Sequence, residues 1–480
     1  MEHNIHIQNC TLSASHGANL LEVLRENNFA PDAPCGGNGA CGKCKVKVNG
    51  EDVLSCNYRI HSDITVELPQ KATTEVLTSG ADISIPVDPV CPGNLAAFDI
   101  GTTTVVCFLL SPDGKEIAVE SMLNPQQPYG ADVISRIQRA MKGDREALTN
   151  SIRKGMTELL RRCCEKGKIT PKEIGTVSVV GNPCMQQLFM GMDVSNLAAV
   201  PFAPVITKAE IAEAKDFLPI CENAALLIVP DISGYVGADT MGCVLSTKLY
   251  EAEDTVLMVD IGTNGEMVLS HKGRMVACST AAGPALEGAN IQCGMRGSPG
   301  AIDHVTLDGI RVIGNAEPVG ICGSGLIDAV AVMLNKGLLN KRGRVQSEDH
   351  NYPLTESVYL TQEDIRQVQM AKGAIAAGIH LMAEYLGINV SDIDRCILAG
   401  AFGSFMDPES ACRIGLLPEE LRGRIKAAGN IAGSGSKLLA MNKGQLALSQ
   451  ALVERIEFLE LASLPNFQRV FAKNMNFREG

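Results

Sequence analysis

The sequence lacks the features that would direct a protein to a membrane, a nucleic acid or the cell exterior. No stretch approaches the ~20 consecutive apolar residues that span a bilayer. Basic residues are in the minority, 42 Lys and Arg against 54 Asp and Glu, and the net charge of −12 repels phosphate backbones. The first six residues have neither the basic nor the apolar region of a signal peptide. We therefore expect no membrane contact, no nucleic-acid partner and a cytoplasmic location.

The chain is too long for one hydrophobic core, because it has 480 residues. We divide it into a domain at 1–70, a linker at 71–94 and two lobes at 95–250 and 251–480. Pro86, Pro89 and Pro92, together with the absence of helical periodicity, predict an extended linker.

The first 70 residues change between strand and helix patterns. Residues 5–8 and 63–68 alternate as strands do, and residues 19–28 carry apolar side chains at helical spacing. Residues 44–48 alternate again and run into Asn49-Gly50, a strong hairpin signal. This order predicts a small α+β domain.

An internal repeat occupies the rest of the chain. Residues 95–110 read LAAFDIGTTTVVCFLL and residues 256–269 read VLMVDIGTNGEMVL, each followed by a turn and a third strand pattern. Asp260 lies 161 residues after Asp99. Two similar meanders, each followed by helical segments, predict two similar lobes. The main helical patterns are at 130–141, 145–166, 364–386 and 442–458.

Four of the 17 cysteines are grouped at Cys35, Cys41, Cys44 and Cys56, with glycines between the first two. Thiolates that converge on one small cluster need backbone amides turned inward, and glycine permits the required dihedral angles. The spacing resembles that of plant-type 2Fe–2S ferredoxins. A zinc site or reactive thiols are the alternatives, although Cys35 and Cys56 lack the near partner that zinc knuckles have. The other thirteen cysteines, many in apolar runs, predict small buried side chains in a reducing compartment.

The repeated DIGT turns are candidate phosphate sites. Glycine lets the backbone approach phosphate, hydroxyl and amide side chains donate to it, and an aspartate can hold Mg²⁺ through water. We expect Asp99 and Asp260 to be catalytic and the neighbouring turn residues to bind nucleotide: Gly101, Thr102, Thr103, Gly262, Thr263 and Asn264. Ordinary β-turns are the alternative.

These turns resemble those of the actin, hexokinase and heat-shock-chaperone ATPase superfamily. Residues 396–403, a strand pattern followed by small residues, resemble that superfamily's adenosine motif and add Gly400 and Gly403 to the candidates. Gly323 and Ser324 precede a helix pattern and either bind ribose or phosphate or only begin the helix. Asp239, or the Gly181-Asn182-Pro183 segment, either orients the attacking water or is structural.

Together the two halves resemble the reductive activators of corrinoid proteins. Five further stretches carry this resemblance: 124–127, 130–137, 283–288, 371–375 and 429–433. It implies an α+β ferredoxin-like (β-grasp) N-terminal domain joined to an α/β two-lobed ribonuclease-H-like ATPase body. It also implies three cofactors: a 2Fe–2S cluster, ATP and Mg²⁺.

The implied activity is ATP-dependent reduction of Co(II) to Co(I) in the corrinoid protein of a methyltransferase system. A cellular low-potential donor and a homodimer are also implied. Family members commonly carry a middle domain between ferredoxin and ATPase. We expect this chain to lack it, because only 71–94 separate the two.

Three rival functions remain open at the level of the sequence. The phosphate motifs also suit a small-molecule kinase with an accessory redox domain. An activator of a radical dehydratase is a second ATP-driven electron donor on this fold. A redox sensor that uses ATP only as a conformational ligand is the third.

Overall fold

The N-terminal unit is a five-stranded sheet with a helix packed on it. The structure, a computed structural model, describes residues 2–478 apart from 9, 28, 32, 34, 40–41, 70–77, 79 and 81–83. The strand order is β2-β1-β5-β3-β4, with β1 parallel to β5. Helix and sheet share one buried core, as the alternation of the strands predicts. The elements are β1 Glu2–Ile7, β2 Cys10–Ser15, α1 Leu20–Glu26, β3 Lys45–Val48, β4 Glu51–Leu54 and β5 Ile64–Glu67.

Lobe I, our name for residues 95–250, is built on a six-stranded sheet in the order β10-β11-β9-β6-β7-β8. Its strands are β6 Asn94–Ile100, β7 Thr104–Leu110, β8 Glu116–Leu123, β9 Ile174–Gly181, β10 Glu210–Glu213 and β11 Ala225–Ile228. Its helices are α2 Val133–Arg139, α3 Arg145–Gly167, α4 Pro183–Met190 and α5 Ala238–Thr247. The central parallel strands are buried along nearly their whole length, which explains their continuous apolar runs.

Lobe II, residues 251–480, has a second six-stranded sheet in the order β21-β20-β12-β13-β14-β22. Its sheet strands are β12 Val256–Ile261, β13 Gly265–His271, β14 Arg274–Thr280, β20 Arg395–Ala399, β21 Ile425–Ala427 and β22 Ile456–Phe458. Small side sheets are formed by β15 Ala301–Val305, β16 Ile310–Val312, β17 Gly320–Ile321, β18 Asn351–Pro353 and β19 Tyr359–Thr361. The helices are α6 Gly323–Asn335, α7 Gln362–Leu386, α8 Gly400–Phe405, α9 Pro408–Ile414, α10 Ile431–Met441, α11 Gly444–Val453 and α12 Phe467–Met475.

The predicted repeat is present in three dimensions. Strand β6 pairs antiparallel with β7 and parallel with β9, and β12 pairs in the same way with β13 and β20. Each candidate aspartate is the penultimate residue of its strand, so both DIGT turns lie at the same end of equivalent sheets. The helix predicted over 442–458 is shorter than expected. It ends at Val453, and Ile456–Phe458 pairs with β14 because this segment alternates as a strand does.

Helix α10 joins the lobes, because it packs between the two sheets against α5. A Cβ atom added to Gly435 would lie 2.1 Å from the carbonyl oxygen of Gly242, so the helix backbones touch. On the other side of α10, the Ser436 hydroxyl accepts from or donates to Ser178 of β9 at 2.8 Å and donates to the Phe98 carbonyl of β6 at 3.0 Å. A helix from lobe II thus covers the sheet of lobe I.

The described part of the linker runs along the body. The amide of Asp88 donates to the Met441 carbonyl, and the amide of Cys91 donates to the Thr176 hydroxyl at 3.0 Å. The earlier linker residues lie mostly outside the described part of the chain. None of the described helices is long and apolar enough to cross a lipid bilayer.

The N-terminal unit docks on lobe I through Arg25 of α1. Its guanidinium donates to the Pro128 carbonyl at 2.7 Å and lies 5.4 Å from the ring centre of Tyr129. The Arg25 side chain is 1% exposed. Arg139 of lobe I donates to both carboxylate oxygens of Glu22 at 3.0 and 3.1 Å. A charged donor buried against a carbonyl contributes more than an exposed ion pair, so Arg25 is the main polar anchor of this interface.

Replacement of Arg25 by Ala should release the N-terminal unit from lobe I. The lost hydrogen bonds to a charged group weaken docking by about 1.5–3 kcal/mol. The chain has no tryptophan, so Tyr129→Trp supplies a single fluorescent reporter under Arg25. The Arg25→Ala change should shift the reporter's emission to longer wavelength, since the indole becomes hydrated. Arg161→Ala, at an exposed arginine of α3, is the control and should leave the emission unchanged. Equal emission in all three proteins would contradict this docking mode.

Candidate functional site

The cysteine loop of the N-terminal unit depends on glycine. Gly36, Gly37, Gly39 and Gly42 all have positive φ, between 65° and 89°, which other residues rarely adopt. Gly36 also touches lobe I, because a Cβ atom there would lie 3.1 Å from the Tyr129 carbonyl oxygen. The described glycines of this loop therefore have dihedral angles that glycine favours, and Gly36 lies against lobe I at Tyr129.

The β3–β4 hairpin brings two of the predicted cysteines to one end of the sheet. Cys44 immediately precedes β3, and its carbonyl accepts from both the amide and the hydroxyl of Ser55 at 2.9 Å. Cys56 is the next residue, and both thiols are buried. Cys35 is half-buried in the glycine turn, and Cys41 lies outside the described residues. A glycine-rich loop and a hairpin end are elements that can carry the thiolate ligands of an iron–sulfur cluster.

A cavity of about 940 Å³ opens between the two lobes, where the DIGT turns face each other. We name residues 99–104 the first turn and 260–265 the second turn. Twelve of the residues predicted for nucleotide chemistry line this cavity: Asp99, Gly101, Thr102, Thr103, Asp239, Asp260, Gly262, Thr263, Asn264, Gly323, Ser324 and Gly400.

The first turn is held from below by segment 124–136. Asn124 donates to the Gly101 carbonyl at 2.8 Å, Gln127 to the Thr103 carbonyl at 3.1 Å, and Arg136 to the Thr102 carbonyl at 2.6 Å. With three carbonyls engaged beneath it, the turn directs its amides and hydroxyls to the cavity. The same segment carries Pro128 and Tyr129, which contact the N-terminal unit.

The second turn meets the first through Glu287. Its carboxylate accepts from the Thr103 hydroxyl at 3.2 Å and from the Thr263 hydroxyl at 2.8 Å. A second contact between the lobes joins Asn430, which caps α10, to Asp99 at 2.9 Å. Both contacts lie on the cavity wall and join the two lobes across the cavity.

Four of the carboxylates that line the cavity have raised pKa values. Burial raises the pKa of Asp99 to about 6, although the hydrogen bond from Asn430 lowers it. Burial, with the charge of Asp99, raises the pKa of Asp239 to about 7. Burial, with the charges of Asp239 and Glu287, raises the pKa of Asp260 to about 7. Such a group favours a bound cation, which would stabilise the charged forms.

Glu266, in β13 directly after the second turn, is the fourth of these carboxylates, and burial raises its pKa well above the ordinary value. Among the described residues, no three His, Cys, Asp or Glu side chains form a group that would hold a metal ion.

Asp239 lies in the first turn of α5 rather than beside a strand end. Gly237 before it has no room for a side chain, since a Cβ atom there would lie 2.6 Å from the Gly181 carbonyl oxygen and 2.7 Å from the Cα atom of Asn182. Asp239 and the Gly181-Asn182-Pro183 segment, the two candidates for orienting the attacking water, are thus adjacent. Asn182 also donates to the Thr102 hydroxyl at 3.0 Å.

Three predicted residues have other roles in the structure. A Cβ atom on Gly323 would lie 1.8 Å from the Leu286 carbonyl oxygen, so this glycine allows α6 to touch segment 284–288. The Ser324 hydroxyl donates to the Asp303 carbonyl at 2.8 Å. It therefore has a hydrogen-bond acceptor without a bound ribose. Gly403 is not part of the cavity wall. It is buried against Leu398, and its assignment as a binding residue stays a prediction.

The prediction missed the residues that act across the lobes. Glu266, Glu287, Asn430 and Arg296 line the cavity, and Arg296 of lobe II donates to Gln127 of lobe I at 3.1 Å. Glu287 and Asn430 belong to stretches that carry the family resemblance, which was the available signal. Their pairing with residues far away in the chain has no local signature.

Gly400→Ala should disturb the second turn. Gly400 has φ +77°, which costs about 1–2 kcal/mol for a residue with Cβ. In addition, its Cβ atom would lie 2.6 Å from an Asp260 carboxylate oxygen. Gly387 is a matched control, with φ +72° and nothing within 4 Å of the added atom. We expect Gly400→Ala to lower the free energy of unfolding more than Gly387→Ala and to abolish nucleotide binding. Equal losses would contradict this role of Gly400.

The raised pKa values predict the direction of the pH dependence. Asp99, Asp239 and Asp260 hold protons in the folded state at pH values where the unfolded chain, with an ordinary pKa of 3.8, has lost them. Stability without divalent cations should therefore fall as pH rises from about 4 to about 7. Asp239→Asn should flatten this slope in denaturant unfolding, and Asp308→Asn, at an exposed carboxylate, should not. An unchanged slope in Asp239→Asn would contradict the assignment.

Three family models match consecutive parts of the chain. The 2Fe-2S iron-sulfur cluster binding domain matches residues 4–76, the RACo middle region matches 95–252, and the C-terminal domain of RACo, the ASKHA domain, matches 254–479. The expectation that the middle domain is missing is wrong, because the middle-region model covers the sheet of lobe I. The chain thus has an iron–sulfur domain and an ATP-binding domain.

Similar proteins cover nearly the whole chain. The corrinoid activation enzyme RamQ of Eubacterium limosum is 30% identical over 92% of this chain and 93% of its own length. The [Co(II) methylated amine-specific corrinoid protein] reductase of Methanosarcina barkeri is 26% identical over 79% of this chain and 76% of its own. The solved structure of a reductive activator for corrinoid, iron-sulfur protein has a TM-score of 0.73 and 26% identity over 99% of this chain and 98% of its own.

The order of the three matched models, the near-complete alignment and the shared architecture agree with the cluster loop and the two-lobed cavity. The chain belongs to the family of reductive activators of corrinoid proteins.

Proposed function

We propose that this protein uses ATP to drive the one-electron reduction of Co(II) to Co(I) in a corrinoid protein, and thereby supports a corrinoid-dependent methyltransferase. The proposal is carried by one observation. Arg25 of α1 and Gly36 of the cysteine loop contact segment 124–136 at Pro128 and Tyr129, and the same segment donates hydrogen bonds to the carbonyls of the first turn. Electron carrier and nucleotide site are thus parts of one packed unit.

The residues of the two turns are proposed to hold the phosphates of ATP. The backbone at Gly101 and Gly262 can approach phosphate closely because it carries no side chain, and the Thr102, Thr103 and Thr263 hydroxyls and the Asn264 amide group can donate to it. Arg136, buried beneath the first turn, adds a positive charge on the lobe I side. Gly400 leaves room next to Asp260 on the lobe II side.

Mg²⁺ is proposed to bind through water to Asp99, Asp239 and Asp260. The fit rests on the donor set, since these carboxylates have raised pKa values because burial and mutual repulsion disfavour their charged forms. A divalent cation removes that repulsion and lets them ionise at neutral pH. Asp239, next to Asn182, is also the proposed residue that orients the attacking water.

Cys35, Cys41, Cys44 and Cys56 are the proposed ligands of a 2Fe–2S cluster. Bound there, the cluster would supply a one-electron carrier beside lobe I. The loop that follows Cys35 is close to lobe I, because a Cβ atom on Gly36 would lie 3.1 Å from the Tyr129 carbonyl oxygen. The electron comes from a low-potential cellular donor and passes to cobalt, while ATP and water become ADP and phosphate. For one electron, ~59 mV corresponds to a tenfold shift in equilibrium, so an uphill transfer of a few hundred millivolts needs the coupled hydrolysis.

The corrinoid partner is proposed from the relatives, whose names specify corrinoid proteins as the proteins they activate or reduce. A homodimer is proposed from the family resemblance. The division into 1–70, 71–94, 95–250 and 251–480 is proposed as the functional division of cluster domain, linker and two nucleotide-binding lobes.

A spectroscopic assay of a purified Co(II) corrinoid protein tests the proposed function. Formation of Co(I) should require ATP and a chemical reductant together. Cys44→Ser should abolish it, because a thiolate ligand is lost, while Cys10→Ser, at an exposed cysteine outside the loop, should retain full activity. Full ATP-dependent reduction by Cys44→Ser, with cluster absorbance absent, would contradict the role of the cluster.

A further inference from the structure

The carboxylate of Glu287 lies between the two turns that face each other across the cavity. One of its oxygens accepts from Thr103 of lobe I and the other from Thr263 of lobe II, at 3.2 and 2.8 Å. Among the described residues, no basic side chain within ion-pair distance of Glu287 is found. The two threonine hydroxyls are its hydrogen-bond donors.

The position of Glu287 is fixed by close backbone contacts. It ends a short helical turn, Pro284–Glu287, that is flanked by Gly283 and Gly288 with φ +80° and +81°. A Cβ atom on Gly288 would lie 2.4 Å from the Met295 carbonyl oxygen, and one on Gly323 would lie 1.8 Å from the Leu286 carbonyl oxygen. The backbone of the turn is therefore closely packed, and we expect movement at this place to come from the Glu287 side chain.

The donors that Glu287 uses are those that a phosphate between the turns would need. The two oxygens of a carboxylate and two oxygens of a phosphate have similar spacing, and both groups accept from hydroxyls. A phosphate that reaches both threonines must displace Glu287 and also meets a like charge there. Glu287 is close enough to Asp260 for its charge to help raise the pKa of Asp260.

We propose that Glu287 senses the terminal phosphate of a bound nucleotide: it takes the place of that phosphate between the turns, and a third phosphate displaces it from both hydroxyls. This inference rests on the proposed function, since it requires nucleotide in this cavity. A diphosphate that does not reach both turns leaves Glu287 in place. The residue thereby links the third phosphate to the contact between the lobes, and it is a positioning residue rather than a catalytic one.

Nucleotide binding by Glu287→Gln tests the proposal without an activity measurement. The amide has the shape of the carboxylate but no charge, so it competes less with phosphate. We expect a non-hydrolysable ATP analogue with Mg²⁺ to bind about tenfold more tightly by calorimetry, which corresponds to about 1.4 kcal/mol. The dissociation constant of ADP should change less than twofold. Glu356→Gln, at an exposed glutamate of lobe II, is the control and should bind both nucleotides as the unaltered protein does.

A second background separates displacement from a simple charge effect. Thr263→Val removes one of the two hydroxyls. In that background, the gain in affinity for the ATP analogue caused by Glu287→Gln should be at least threefold smaller. Analogue affinity that is unchanged or weaker in Glu287→Gln, or an undiminished gain with Thr263→Val, would overturn the proposal. Unaltered protein that binds neither nucleotide would instead remove the proposed function, and an unfolding midpoint for each variant establishes that it is folded.

Discussion

The structure depends on a buried cation that has no carboxylate partner among the described residues. Arg136 is fully buried, and burial lowers its pKa to about 10. Its guanidinium donates to the carbonyls of Gly130 and Thr102 and to the Gln126 side chain, at 3.0, 2.6 and 3.2 Å. These bonds tie segment 124–136 to the first turn. A charge compensated only by dipoles retains its attraction for an anion, which suits the floor of a phosphate site.

The cluster domain and the second lobe are arranged around this segment. One side of it receives Arg25 of the N-terminal unit, and Gln127 both donates to Thr103 and accepts from Arg296 of lobe II. Glu287 completes the connection from Thr103 to the second turn. A change at the phosphates thus acts on a segment that both the other lobe and the cluster loop contact. Nucleotide moves the second lobe and the cluster loop only to the extent that it binds two conformations with different affinity. The hydrogen bonds of segment 124–136 are the physical connection between these parts.

Local patterns predicted much of this arrangement. The DIGT turns, the cysteine loop and the repeated meander depend on residues close together in sequence, where glycine and strand alternation have direct signatures. The pairing of Asn430 with Asp99 joins residues 331 positions apart, and no local pattern encodes it. Strand β2 is not predicted because its side chains alternate weakly, and the packing of Gly403 on Leu398 has no signature in the local sequence. The expected absence of a middle domain is wrong because residues 95–252, which match the middle-region model, also read as the first ATPase lobe.

The crossing of α5 and α10 has a consequence for how the chain can be divided. Residues 431–441 come from the second half of the sequence, yet they cover the β6 and β9 face of the first sheet and meet α5 backbone to backbone at Gly242 and Gly435. A fragment that stops near residue 250 would expose this apolar face, and a side chain at either glycine would separate the helices. Although each lobe resembles a complete repeat, the two are not independent folding units, and a gene split at their boundary would yield fragments that have to be made together.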